Sequence, residues 1–228
     1  MALGCRVVGF FVGIGIVLGL SGLLLGFLTW AHGSPRFAHR RISDKPGMKV
    51  PWRERAKTML FISTLSLVAV LGSTYLLFEQ LVTLEAASAL TIAWQTIAVL
   101  LVYDFAYYFL HRGMHHKKLM RFMHGVHHRA RNPTALESFY LHPIELLAGL
   151  GLLVASTLVV GPIHHIAFLI AFFVYSVLNI IVHSGLNLPF MAPTNFLTRK
   201  HHVHHQDDFA KNYSSLTPLP DLLFGTTG

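Results

Sequence analysis

Long apolar runs alternate along the chain with polar segments that are rich in histidine and basic residues. A helix needs about 20 mostly apolar residues to cross a bilayer. Five runs approach or exceed that length, at residues 7–30, 59–81, 86–110, 144–160 and 163–182. Because Gly161 and Pro162 leave room only for a tight turn, the last two runs should form a helical hairpin. We therefore predict an all-α integral membrane helical bundle built from these spans.

The first run has an alternative interpretation. Ala31, His32 and Gly33 resemble a signal-peptidase site, so the run could be a cleaved signal peptide. The apolar core of a signal peptide has only about 7–15 residues, and this run is longer. We expect a retained helix that, with the basic loop after it, forms a first part, residues 1–58. Residues 59–228 would form the second part.

The distribution of basic residues predicts which side of the membrane each segment faces. With five spans, segments 31–58, 111–141 and 183–228 share one side, and every Lys and Arg except Arg6 lies in them. Cytoplasmic segments of membrane proteins carry the excess of basic residues. We expect an external N-terminus and a cytosolic, histidine-rich helical cap on the bundle.

Composition supports the same class of protein. Charged residues make up 12% of the chain, whereas a soluble domain carries about 25%. The net charge is +8, but the basic residues flank apolar runs. We therefore expect contact with anionic lipid headgroups and no nucleic-acid binding. Cys5 is the only cysteine, which excludes an internal disulfide and a cysteine-based zinc site.

The histidines of the predicted cytosolic side are spaced to share helical faces. Residues three and four apart on a helix lie on one face. This spacing occurs in three boxes: His111 with His115; His124, His127 and His128; and His201, His204 and His205. His183 stands just after the fifth run. Neutral imidazole binds iron, zinc, copper and nickel, and one ion takes about four to six ligands, so this set predicts two metal ions.

The other histidines, from a total of sixteen, have a simpler explanation. We interpret His32, His39, His164 and His165 as polar residues at the level of the headgroups, the last two on the external side. His116 and His202 neighbour the spaced positions but point away from the shared faces.

Asp104 is an acidic residue inside the third run. At about 100° per residue, a stripe about 60° wide holds Asp104, Tyr108, His111 and His115. An ionisable residue within a membrane suggests a function. We expect the Asp104 carboxylate to accept the second N–H of a ligand histidine, with Tyr108 as a relay; the alternative is an interhelical hydrogen bond that only aids packing.

His142 and Glu145 are a second candidate pair of a histidine and a carboxylate. They are spaced i, i+3 at the start of the fourth run. The alternative is a polar pair at the membrane interface.

Short motifs in the second half of the chain resemble those of the fatty acid hydroxylase superfamily, which includes the sterol desaturases. They are DFAYYFLHRGMH at 104–115, FMHGVHH at 122–128, HPIE at 142–145, HSG at 183–185, HHVHH at 201–205, NY at 212–213 and DLLFGT at 221–226. A single box would be a weak signal, but three boxes in this order with this tail are specific. The resemblance covers roughly residues 95–226.

The resemblance implies a membrane enzyme with two iron ions that uses O2 to hydroxylate or desaturate a lipid. It implies nine ligands, His111, His115, His124, His127, His128, His183, His201, His204 and His205. Some relatives have a further histidine four residues after the position of His183. This chain has Asn187 there, which we consider as a tenth ligand through its amide oxygen. Zinc is a possible substitute in purified protein, because it competes for nitrogen sites.

The chemistry favours iron as well, because zinc is redox-inactive and cannot activate O2. No flavin, nicotinamide or haem motif is visible in the sequence. Electrons would come from a partner such as a ferredoxin, or a cytochrome b5-like protein with its reductase. The lipid would enter from the bilayer between the spans; sterol, fatty acyl, ether lipid and carotenoid substrates all stay open.

Other classes of protein could use a histidine cluster. A metalloprotease would need His-Glu-x-x-His on a helix, which the sequence lacks. A membrane metal transporter would place its ligands near the bilayer midplane, but Asp104 is the only acidic residue well inside a span and the histidines lie at or beyond the span ends. A metal-binding membrane protein without enzymatic activity is the remaining alternative.

Overall fold

The computed structural model describes residues 2–45, 47–206 and 210–228. The helices in chain order are α1 (Ala2–Gly33), α2 (Trp52–Leu76), α3 (Phe78–Leu81), α4 (Ala89–Met114), α5 (Lys117–Leu119), α6 (Gly125–His127), α7 (Pro143–Val160), α8 (His165–Val182), α9 (Ala192–His205) and α10 (Leu219–Leu223). A π-helical turn lies at Met120–His124, and 3-10 turns lie at Pro35–Arg40, Ala135–Phe139 and Pro189–Met191. The strands are β1 (Val82–Thr83) and β2 (Ile163–His164).

Five helices of the described part, α1, α2, α4, α7 and α8, are long and apolar enough to cross a membrane. The predicted all-α bundle and its spans are confirmed. The third span begins slightly later than predicted because Ser88 caps it, its hydroxyl accepting the backbone N–H of Thr91 at 3.1 Å. Gly161 makes the predicted tight turn with a φ of 100°, a backbone conformation that favours glycine.

The long helices pack in an arc in the order α1, α8, α4, α7, α2. Apolar side chains of α1, α4, α7 and α8 form the main core, including Phe10, Val99, Leu153 and Phe172. The first helix is therefore part of the bundle. The boundary predicted at residue 58 stays a prediction.

The two ends of the arc are linked on the histidine side. The turn Ala135–Phe139 contacts α1, α2 and α8, and its buried Glu137 pairs with Arg55 of α2. At the opposite end β1 pairs in parallel with β2. The long helices thus surround an interior space.

Candidate metal centre

Nine histidines converge in two groups at one end of the bundle. The first histidine group is His111, His115, His124, His128 and His204, and the second histidine group is His127, His183, His201 and His205. Within each group one ring nitrogen of every member lies within 4.8 Å of those of the others. The structure therefore brings together all nine histidines that the sequence singled out, and divides them five and four.

Helix ends and a π-helical turn position these side chains. His111 and His115 lie at the end of α4, and His183 lies at the end of α8. The three histidines of the third box lie in the last turns of α9. In the second box, the N–H of Gly125 donates to the carbonyl of Met120. A Cβ on Gly125 would lie 2.6 Å from that oxygen, so the turn requires glycine. Such π-helical turns often occur at functional sites.

Hydrogen bonds at Nδ1 fix the tautomer of several of these histidines. In the first group, the Nδ1–H groups of His111 and His204 donate to the carbonyls of Tyr213 and Lys211, both at 2.7 Å. In the second group, the rings of His127, His183 and His205 donate in the same way to the carbonyls of Tyr140, Asn179 and Ala130 at 3.2, 2.6 and 2.8 Å. A carbonyl oxygen can only accept, so the proton sits on Nδ1 and Nε2 carries a lone pair.

These lone pairs face each other at short range. Nε2 of His111 lies 3.1 Å from Nε2 of His204, and Nε2 of His127 lies 3.1 Å from that of His183. Neither pair can form a hydrogen bond, because neither Nε2 carries a proton. Two ligands at about 2.1 Å from one ion, at right angles, are about 3.0 Å apart. The spacing therefore fits a shared cation in each group.

Five of the nine histidines, all outside the spans, have lowered pKa values and are neutral at ordinary pH. The pKa of His115, His124 and His183 is lowered to about 3, mainly by burial and, at His115 and His183, also by neighbouring imidazoles. Burial likewise holds the pKa of His204 and His205 well below its usual range. Neutral imidazole is the form that binds a metal ion.

Glu145 is the carboxylate that supports a ring of the first group. Its Oε1 accepts the Nδ1–H of His124 at 2.9 Å. Its Oε2 has no hydrogen-bond partner among the described residues. The predicted pairing with His142 is wrong, because Nδ1 of His142 instead accepts the backbone N–H of Ile144 at the start of α7.

The expected contact between Asp104 and a ligand histidine is not found. The Asp104 carboxylate accepts the backbone N–H groups of Ser215, Leu216 and Thr217 at 3.3, 2.8 and 3.1 Å. It also accepts the hydroxyl of Thr217 at 2.6 Å. Asp104 therefore anchors the C-terminal tail to α4. The Nδ1–H of His111 donates instead to the backbone carbonyl of Tyr213 in that tail.

Asp221 holds the two preceding residues of the tail. Its carboxylate accepts the backbone N–H groups of Tyr213 and Ser214 at 2.9 and 3.0 Å. It is fully buried and pairs with the ammonium of Lys200. Two carboxylates thus accept five consecutive backbone N–H groups, from residues 213 to 217. This contact, with a buried lysine as its counter-ion, was not predicted, although Asp221 lies in a recognised motif.

Tyr108 and Asn187 also differ from expectation. The hydroxyl of Tyr108 is hydrogen-bonded to Arg112 and to Thr226, both at 3.1 Å, and so belongs to the tail contacts rather than to a relay from Asp104. The Oδ1 of Asn187 accepts from Nε of Arg199 at 3.0 Å. A guanidinium thus occupies the oxygen that we considered as a tenth ligand.

The remaining histidines that we set aside, His32, His39, His116, His164, His165 and His202, belong to neither group. His164 lies in β2, at the end of the bundle opposite the histidine groups.

A cavity of about 260 Å³ lies inside the arc of helices. Its lining is mainly apolar and comes from α1, α2, α4, α7 and α8. His127 and His183 of the second histidine group reach it, as does Glu145. The cavity therefore connects one of the two groups to the interior of the bundle.

Known proteins are similar to this chain over the region that contains the two histidine groups. A family model described as Fatty acid hydroxylase matches residues 96–226. The chain is 36% identical over 129 residues to methylsterol monooxygenase 1 of Rattus norvegicus, covering 54% of this chain and 43% of that protein. It is 36% identical over 140 residues to a very-long-chain aldehyde decarbonylase of Oryza sativa subsp. indica, covering 58% of this chain and 51% of that protein. The chain spans about half the length of these curated relatives. No solved structure matches.

Proposed function

Because this chain belongs to the fatty acid hydroxylase family, we propose that it is a membrane di-iron enzyme that uses O2 to hydroxylate or desaturate a lipid. The observation that carries the proposal is the pairing of two neutral histidine groups with a mainly apolar cavity that reaches one of them. The named relatives are a monooxygenase and a decarbonylase, which supports an oxidative reaction.

The donor set supports iron. Each group offers imidazole nitrogens with lone pairs turned inward, and the candidate sets lack thiolates. Imidazole suits iron as well as zinc, and of these two ions iron is the one with the redox chemistry that activates O2 toward an unactivated C–H bond. The nine histidines would hold two ions, and Glu145 would fix the orientation of the His124 ring and raise its basicity.

The chain's own residues supply positioning and exclusion of water. The buried tail carbonyls of Tyr213 and Lys211 orient His111 and His204. Apolar residues of the cavity, such as Leu146 and Phe172, would hold the lipid with a carbon next to His127 and His183. Hydroxylation and desaturation both begin with removal of a hydrogen at such a carbon.

The side of the membrane and the partners follow from the charge pattern. The histidine side carries the Lys- and Arg-rich segments, which supports a cytoplasmic location. Electrons would come from a separate ferredoxin, or from a cytochrome b5-like protein with its reductase. Residues 59–228 would form the catalytic part, with the first helix and basic loop preceding it.

Metal content is the decisive measurement. Protein purified from iron-replete cells should contain about two irons per chain and should consume O2 only with a reductant and a lipid. Less than one bound metal of any kind in folded protein would contradict the proposal. Metal flux into proteoliposomes without lipid-dependent O2 consumption would instead indicate a transporter.

A further inference from the structure

The first helix presents a regular series of buried positions to the bundle. Residues at spacings of three, four or seven are buried: Phe10, Ile14, Val17, Ser21, Leu28 and Ala31. All but Ser21 are apolar. Ser21 is only 7% exposed, so one polar side chain lies in an otherwise apolar seam of α1.

The Ser21 hydroxyl differs from two other hydroxyls in the long helices. Thr29 and Ser156 donate to the carbonyl four residues before them, both at 2.7 Å, which is the ordinary solution within a helix. Ser21 Oγ has no hydrogen-bond partner among the described residues, and Ser21 lines the cavity. A buried polar atom without a partner is destabilising, and a rotation of the Ser21 side chain toward the cavity would let its hydroxyl bind a ligand.

The position of Ser21 along α1 places it far from the histidines. The end of α1 at Gly33 is the histidine end of the bundle, since the turns that follow pack beside the histidine groups. At about 1.5 Å per residue, Ser21 lies about 18 Å along the helix from Gly33. The lining of the cavity includes Ser21 as well as His127 and His183.

The cavity also opens sideways. The helices α1 and α2 are the two ends of the arc, and both line the cavity. Gly22 of α1 lines it and is exposed, and Leu67 of α2 lines it with 44% exposure. Both helices lie outside the region matched by the family, residues 96–226.

We propose that the wall formed by α1 and α2 selects the lipid, and that the Ser21 hydroxyl binds an oxygen atom of that lipid. The lipid enters between α1 and α2, past Gly22. A hydroxyl or carbonyl oxygen then hydrogen-bonds to Ser21, and the hydrocarbon between that oxygen and the histidines determines which carbon lies at the second histidine group. The inference rests on the proposed function and adds the substrate class: a lipid with an oxygen at a set distance from the reacting carbon.

The first test isolates the hydrogen bond. Binding is measured by displacement of a fluorescent fatty acid from purified, metal-loaded protein, with two matched pairs: cholestanol and cholestane, and hexadecan-1-ol and hexadecane. The wild type should bind the oxygenated member of at least one pair about fivefold more tightly. Ser21→Ala should remove this preference without weakening hydrocarbon binding or lowering the unfolding temperature, because the hydroxyl has no protein partner. A wild type without preference, or a variant that keeps it, would overturn the proposal.

The second test isolates the entrance. A Cβ at Gly22 or at Gly19 would meet no atom within 4 Å, so leucine at either position is compatible with the fold. Gly22→Leu should weaken binding of every probe about tenfold, whereas Gly19→Leu, on the same helix but outside the cavity lining, should bind as the wild type does. Equal binding by the two variants would place the entrance elsewhere.

Metal content measured on the same samples separates this inference from the proposed function. Protein without iron that still discriminates through Ser21 would contradict the enzyme and keep the lipid site. Protein with iron in which Ser21→Ala changes nothing would contradict the lipid site alone.

Discussion

The two histidine groups are built in different ways. The first histidine group depends on the C-terminal tail and on a carboxylate, because tail carbonyls orient His111 and His204 and Glu145 supports His124. In the second group, carbonyls of Tyr140, Asn179 and Ala130 receive the Nδ1–H groups. Only members of the second group line the cavity. The comparison suggests that the first group is tuned by the protein, whereas the second faces the substrate.

Removing one ligand from each group should have the largest effect. His204→Ala and His127→Ala should each reduce activity at least about 100-fold and leave about one metal per chain. Each retained ion should be in the group that was not altered, which metal analysis and iron spectroscopy can distinguish. Loss of both ions from both variants would show that the groups are one cooperative unit and would remove the distinction.

Releasing the tail should affect the first group selectively. Asp221→Asn leaves Lys200 buried without its counter-ion, which costs about 3 kcal/mol of stability. We expect a lower unfolding temperature and a weaker first site, since the tail supplies carbonyls to that group.

The matched control for the tail variant is Asp44→Asn. Asp44 is 85% exposed and lies 3.9 Å from Arg41, so its loss should change stability by less than about 1 kcal/mol. Equal unfolding temperatures for Asp221→Asn and Asp44→Asn would refute the role of the buried pair.

Glu145→Gln tests how the negative charge of a carboxylate distinguishes the first histidine group from the second. The amide keeps an acceptor for the Nδ1–H of His124 but removes the negative charge. The metal affinity of the first group should fall about tenfold, while that of the second group stays unchanged. Chelator competition followed by metal analysis measures both affinities, and an equal loss at both sites would contradict the assignment.

Asn187→Ala should have the smallest effect. Its side-chain oxygen is bound to Arg199, so we expect unchanged metal content and a stability change within about 0.5 kcal/mol. A loss of metal from this variant would restore Asn187 as a ligand.

The helical spans and the histidine faces were predictable because both depend on local properties. A span requires only enough apolar length, and a shared face requires only the helical period. The division of the histidines into two groups was not predictable in the same way. The neighbours His127 and His128 go to different groups, and which boxes meet depends on the packing of α4, α8 and α9.

Asp104 illustrates a second limit of sequence reasoning. Its position on the same stripe as His111 and His115 is a matter of helical geometry. Its hydrogen-bond partners come instead from an irregular tail more than a hundred residues later. A segment without helical or strand period cannot be placed from its pattern. Glu145, three residues after His142, was visible as a candidate, but its partner His124 comes from another element.

The contacts of the C-terminal tail also determine when the first histidine group is completed during synthesis. Residues 213–226 leave the ribosome after all five spans, yet they supply partners to His111, Tyr108 and Asp104 in the middle of the chain. A nascent chain with every helix inserted therefore still lacks a complete first site. A metal ion in the first histidine group would therefore be held by a complete site only late in biogenesis, after the tail has been made.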